Sequence, residues 1–179
     1  MINLIFIVNQ ISEGEIEMGM RYRFQRVNDT IQYEAISATS NPDGFTPLTA
    51  IAESHRWDAR LITNASDECN RRKETCIINT VQPLLLLVPR TRGITNSHTL
   101  IKDLLNGCLA IGVKTLRFTH YSFIQNGLPE NEVLIILNHF FDTNAALKTI
   151  YWDIDARCID QMSALYMQVY GTPMSIANC

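Results

Sequence analysis

The chain has 179 residues, 46 % of them hydrophobic and 18 % charged, with a formal net charge of −3. That length suits one domain with a sizeable core, and the balance of apolar to charged residues excludes intrinsic disorder. Lys and Arg are scattered apart from short groups at 21–26, 71–73 and 90–92, so the basic excess of a nucleic-acid binder is missing.

The opening "MINLIFIVNQ" has a short apolar run, no basic region before it and no small-residue cleavage site. It reads as a strand over 2–8, buried on both faces, rather than as a signal peptide. Residues 15–27 alternate: Ile16, Met18, Met20, Tyr22 and Phe24 face one way, and Glu15, Glu17, Arg21, Arg23 and Gln25 the other. This predicts a half-exposed strand, antiparallel to its neighbour, near a sheet edge. A turn at 27–30 leads into a returning strand over 31–38.

"SNPDGFTP" (40–47) is a loop that ends in a helix start, with Thr46 to cap and Pro47 at the first helical position. The helix runs through "TPLTAIAESHRW", and the stretch 58–73 is polar and ambiguous. Strands follow at 75–81 and 84–89, the second central. Leu100, Ile101, Leu104, Leu105, Cys108 and Ile111 share one face of a helix over 97–111, closed by Gly112. Residues 115–120 form a strand, 129–142 a helix and 147–154 a strand; Asp155 then caps a last helix that closes at Gly171.

The second half thus alternates strand and helix, which predicts a three-layer α/β/α sandwich with a mixed, mostly parallel central sheet and an antiparallel ribbon before it. With no linker or repeat, residues 1–179 read as one domain. No apolar run approaches the ~18 residues of a membrane span. Five cysteines without CxxC spacing read as free thiols of a cytoplasmic protein. The four histidines show no metal-ligand spacing, so neither a metal nor another cofactor is expected.

In sheets of this kind, ligands sit where loops leave the carboxyl ends of strands. Loops 39–47, 90–97 and 120–129 qualify, and each feeds a helix N-terminus that favours an anion such as phosphate. The third lies in "RFTHYSFIQNGLPENEV", where aromatic and small polar residues surround Gly127. Gly127 is also explained as an ordinary turn residue before a proline, and Tyr121 and Phe123 as core aromatics. His120 stands at a strand end, placed to polarise a ligand oxygen or simply to be satisfied in a half-buried niche. Arg90 and Arg92 suit phosphate, or solvent. No Ser/His/Asp, Cys/His or paired-carboxylate arrangement can be assembled.

The order of elements and two of these loops resemble the macro domain, the ADP-ribose-binding module. In "FTHYSFIQNGLPENEV", Phe118, Ser122, Gly127 and Pro129 match the strand, phosphate loop and helix of that family; Ile124 replaces the first loop glycine and Asn126 the aromatic. In "AISATSNPDGFTPLTAIAE", Ala35, Ile36, Asn41 and Gly44 match the asparagine motif, while its first asparagine falls on Ala38 and its glycine run shrinks to Gly44. The resemblance spans 31 to 155. It implies non-covalent binding of ADP-ribose or a related nucleotide metabolite, for sensing or sequestration. Asn41 would meet the distal ribose, Gly44 would let a phosphate approach, and Asp43, Arg90, Arg92, His120, Tyr121, Ser122, Phe123, Asn126 and Gly127 would complete the site. The departures at Ala38 and Ile124 argue against efficient catalysis. The alternatives are a protein-interaction module with a degenerate pocket and, third, an ADP-ribosyl hydrolase. The module would use the exposed face of 15–27 and a last helix bearing Met162, Leu165, Tyr166 and Val169.

Overall fold

The computed structural model describes residues 3–9, 31–40, 47–89, 94–119, 130–143, 147–156 and 159–177. In chain order these form β1 (Asn3–Asn9), β2 (Ala35–Thr39), α1 (Pro47–Ser54), α2 (Ala59–Arg72), β3 (Cys76–Ile78), β4 (Leu84–Val88), α3 (Ile94–Ala110), β5 (Thr115–Thr119), α4 (Glu130–Thr143), β6 (Thr149–Asp155), α5 (Ile159–Tyr170) and β7 (Ser175–Ile176). The seven strands make one sheet in the order β3-β4-β2-β5-β6-β1-β7. Only the β3–β4 pairing is antiparallel.

Helices cover both faces, so the sandwich is three-layered. Side-chain alternation along each strand divides the core in two. Leu86 and Val88 of β4, Leu116 and Phe118 of β5, and Ile150, Trp152 and Ile154 of β6 pack with α3, α4 and α5. Ile36 and Ala38 of β2 and Leu85 and Leu87 of β4 pack instead with α1 and α2. On the first face Trp152 meets Phe118 edge-on at 5.3 Å between ring centroids and Phe6 at 5.6 Å.

The helix ends follow local chemistry. Asp58 caps α2 by accepting from the Arg60 N–H at 2.9 Å, and Lys73 closes that helix in the left-handed conformation at φ 55°. Gly112 and Gly171 follow α3 and α5 at φ 73° and 74°, where a side chain would be strained. At the amino edge of the sheet, Glu34 ties three strands. Its N–H donates to Thr115 O, its carbonyl accepts from Leu84 N, and its carboxylate accepts from Lys114 N.

Several expectations are corrected. β1 is not part of an antiparallel ribbon: it runs parallel between β6 and β7, because burial on both faces suits an interior position. β2 is likewise parallel to both its neighbours. Within the stretch 58–73, residues 59–72 form the helix α2, whose buried stripe of Ile62, Ser66 and Cys69 recurs at helical spacing in a segment that is otherwise polar. β3 is a three-residue edge strand, shorter than the expected 75–81, and residues 94–97 belong to α3 rather than to the loop before it. Asp155, expected as the helix cap, is the last residue of β6, and α5 begins at Ile159. Ile111, past the end of α3, is exposed, whereas Ile101, Leu104, Leu105 and Cys108 are buried as the period predicts. The face of α5 expected to be a docking surface packs inward: Met162 is buried, and Leu165, Tyr166 and Val169 lie against the core. The predicted strand 15–27 lies outside the described residues.

Candidate functional site

Three parallel strands that lie side by side, β4, β2 and β5, end at one edge of the sheet. Thr39 is in register with Val88, and Ser37 with Phe118. The chain leaves β2 at Thr39 and re-enters helix at Pro47; it leaves β4 at Val88 and re-enters at Ile94; it leaves β5 at Thr119 and re-enters at Glu130. All three predicted loops therefore start from adjacent strand ends on the same side and run to helix N-termini. Asn41, Asp43, Gly44, Arg90, Arg92, His120, Tyr121, Ser122, Phe123, Asn126 and Gly127 all lie outside the described residues.

The strand ends from which these loops leave are among the described residues. Ser40 is buried; its N–H donates to Val88 O at 2.9 Å and its hydroxyl to Asn70 Oδ1 at 2.6 Å, which pins the loop's first residue to β4 and α2. Thr119 is buried too, and its Oγ1 donates to Ser37 O at 2.9 Å, joining β5 to β2 just below the edge. The Ser37 hydroxyl is buried and has no hydrogen-bond partner among the described residues.

One step further in, a fully buried ion pair bridges β5 and β6. Arg117 Nε donates to Asp153 Oδ2 at 2.8 Å and Nη2 to Oδ1 at 2.6 Å, a two-point contact that fixes both side chains. The Arg117 guanidinium also lies 5.6 Å from the centre of the Tyr33 ring. Burial pushes the Tyr33 hydroxyl up from its ordinary value, and the positive charge of Arg117 partly opposes this. His55 Nδ1 lies 2.8 Å from Ile51 O and can only donate to it, so in the neutral ring Nε2 accepts from the Tyr33 hydroxyl at 3.1 Å. Trp57 stacks on His55 at 4.8 Å, and its indole N–H donates to Gln82 O at 3.2 Å. This chain of contacts was not anticipated. Its signal was an arginine in "TLRFT" and an aspartate in "YWDID", opposite charges inside otherwise apolar strands.

A cleft of about 280 Å³ also lies between α1 and α2, floored by Leu48, Ala52 and Ile62 and edged by Glu53 and Asp67. An anion there would meet two carboxylates, so it does not compete with the strand edge for phosphate. Among the described residues no group of three or more His, Cys, Asp or Glu side chains is placed to hold a metal ion. No helix among them is long and apolar enough to cross a membrane.

The chain has the macro-domain fold, strongly diverged in sequence. It is similar to the macro domain of ganglioside-induced differentiation-associated protein 2, with a TM-score of 0.59 at 9 % identity over 77 % of this chain and 78 % of that one. It is similar to the DarG macrodomain of Thermus aquaticus, with a TM-score of 0.54 at 14 % identity over 84 % and 98 %. The macrodomain of Trypanosoma brucei, solved in complex with ADP, gives a TM-score of 0.52 at 15 % identity over 76 % of this chain and 63 % of that one. No family model and no curated protein matches the sequence.

Proposed function

We propose that this protein binds ADP-ribose or a related nucleotide metabolite, without covalent change, in a cleft at the carboxyl ends of β4, β2 and β5. It would act in the cytoplasm as a sensor or a sequestering protein. The observation that carries this reading is that the three loops leave neighbouring parallel strands at one edge and each runs into a helix N-terminus. Such an edge gathers unpaired N–H groups and positive helix dipoles, which suits a diphosphate. That a chain of the same fold holds ADP supports a nucleotide ligand. Within the loops, Asn41 is assigned to the distal ribose, Gly44 and Gly127 to close approach by phosphate, and Arg90 and Arg92 to its charge. Ser122, Asn126, Asp43 and His120 supply polar contacts, and Tyr121 and Phe123 a stacking surface.

Ala38, at the position of the first motif asparagine, is fully buried among Ile36, Leu85 and Leu87 and carries no polar group to orient a water. This favours binding over hydrolysis. Thermal-shift and calorimetric titration with ADP-ribose, ADP, ATP and NAD tests the reading. A ligand at ~100 times its dissociation constant adds roughly 2.7 kcal/mol to stability. Gly127→Val is expected to weaken binding by roughly tenfold or more with the fold intact, because a β-branched residue resists positive φ and blocks backbone approach. The bound ligand should be recovered unchanged by mass spectrometry. Turnover of ADP-ribosylated protein would establish the hydrolase instead, and neither binding nor turnover would leave the interaction module.

A further inference from the structure

Cys69 lies in the last turn of α2 and Cys76 opens β3, on either side of the tight return made by the left-handed Lys73. Both side chains belong to the apolar layer between α2 and the sheet, Cys69 fully buried and Cys76 partly so. Cys69 Sγ donates to Glu74 O at 3.2 Å, and Cys76 Sγ to the same oxygen at 3.5 Å. Cys69 Sγ also reaches Leu87 O at 3.4 Å, and Leu87 is the residue paired with Cys76 across the β3–β4 ladder. Three contacts therefore place the two sulfurs over one patch of backbone. Cys108, the other described thiol, sits on the opposite face of the sheet.

We infer that Cys69 and Cys76 form a reversible dithiol–disulfide site, oxidised by a low-molecular-weight disulfide. The partly exposed Cys76 is the entry point. Its thiolate attacks one sulfur of the small disulfide, which breaks that S–S bond, releases one thiolate and leaves a mixed disulfide on Cys76. Cys69 then gives its proton to a released thiolate and attacks the Cys76 sulfur, expelling the second small thiol. Two protein S–H groups are oxidised to one S–S bond, and one small disulfide is reduced to two thiols. The second step is the slow one, because burial, with the neighbouring Cys76 adding to it, pushes the Cys69 thiol up to about 12. The bridge closes only a short return, so it constrains the unfolded chain little and stays reducible. Cys69 also adjoins Asn70, the residue that holds the Ser40 hydroxyl at the start of the 41–46 loop.

The sequence makes the test direct, since Arg71, Arg72 and Lys73 separate the two cysteines. The native full chain is equilibrated in glutathione buffers from reducing to oxidising, quenched in acid, alkylated and digested with trypsin. The peptides Leu61–Arg71 and Glu74–Arg90 should then be joined, with roughly tenfold more of this pair than of any other cysteine pair. Dithiothreitol should release them, and the Cys108 peptide should remain unlinked. Cys69→Ser should arrest Cys76 as the glutathione mixed disulfide. The mapping of the unmodified chain decides the matter even if that variant fails to fold. Recovery of both cysteines as free thiols in the most oxidising buffer overturns the inference. So does a wild-type chain arrested with glutathione on Cys76, or a mixture of pairings like that of the denatured protein.

Discussion

The two faces of the sheet are held by different forces. Under α3, α4 and α5, the strands present Leu86, Val88, Leu116, Phe118, Ile150 and Trp152, an apolar layer with no buried charge among the described residues. On the other face the same strands change character from one side of the sheet to the other. β2 and β4 offer Ile36, Ala38, Leu85 and Leu87 to α1 and α2, whereas β5 and β6 carry the buried Arg117, Thr119 and Asp153. Apolar burial is non-directional and sums over area, so the first face tolerates reshaping better than it tolerates loss. An ion pair is directional and holds one register, and it is costly when half of it is removed. The charged pair lies just below the edge from which the candidate binding loops leave.

The largest expected effect breaks that contrast at the pair. Asp153→Ala leaves the Arg117 guanidinium buried without its carboxylate and is expected to cost ~3–5 kcal/mol in denaturant unfolding. Replacing both residues, Arg117→Met with Asp153→Leu, should restore most of this. If the double variant is no more stable than the single one, the pair is not the source of the cost.

On the apolar face, Leu105→Ala removes a fully buried side chain of α3 and should cost ~3 kcal/mol through lost burial and the cavity left behind. Because the two sites lie on opposite faces, Leu105→Ala and Asp153→Ala should add to within ~0.5 kcal/mol. A larger departure would show that the sheet transmits strain between its layers. Smaller again is Asp58→Ala, which removes the cap of α2 and should cost ~1 kcal/mol. Restoration by Asp58→Ser or Asp58→Asn would assign the loss to the cap rather than to charge.

Alkaline pH separates the faces by titration. Burial pushes the Cys108 thiol from 9.0 up to about 12, so the folded chain holds a proton that the unfolded chain releases. The stability this contributes is fully present below pH 9 and is lost as pH rises through about 12. Cys108→Ala should therefore lower stability at neutral pH yet flatten its decline across that window. Tyr33 on the other face is raised in the same sense, so Tyr33→Phe should also flatten the alkaline limb, starting near pH 10.0. The smallest effect belongs to the surface. The Arg71 hydrogen bond, helped by Arg72, lowers the Glu68 carboxyl, so its contribution is present at neutral pH and lost on acidification. Glu68 is solvent-exposed, and Glu68→Gln should change stability barely measurably in physiological salt.

Local pattern carried much of the fold. "LLLLV" and "TLRFT" read as strands, and Ile101, Leu104, Leu105 and Cys108 read as one helix face. Gly112 and Gly171 mark helix ends because glycine adopts left-handed φ at no steric cost. α2 went unread because its residues are mostly polar, although Ile62, Ser66 and Cys69 recur at helical spacing. The candidate site was legible as loops and not as a floor. The glycines, asparagines and arginines of the loops stand out by type, but Ser40, Asn70 and Thr119 gain their roles only from partners far along the chain.

Sequence alone determined the alternation of strands and helices in the second half, the closures at Gly112 and Gly171 and the likeness to the macro fold, since periodicity and turn chemistry act between residues a few positions apart. Tertiary structure decided the rest. A strand's alternation tells which residues share a face and nothing of which strand lies beside it. The parallel pairing of Asn3 with Thr149, and the edge place of β3, follow only once every buried N–H and carbonyl must find a partner. The same closure brings Arg117 to Asp153 and Cys69 to the carbonyl shared with Cys76. These are contacts that no short-range rule contains, because the groups are chemically ordinary until folding removes the water around them.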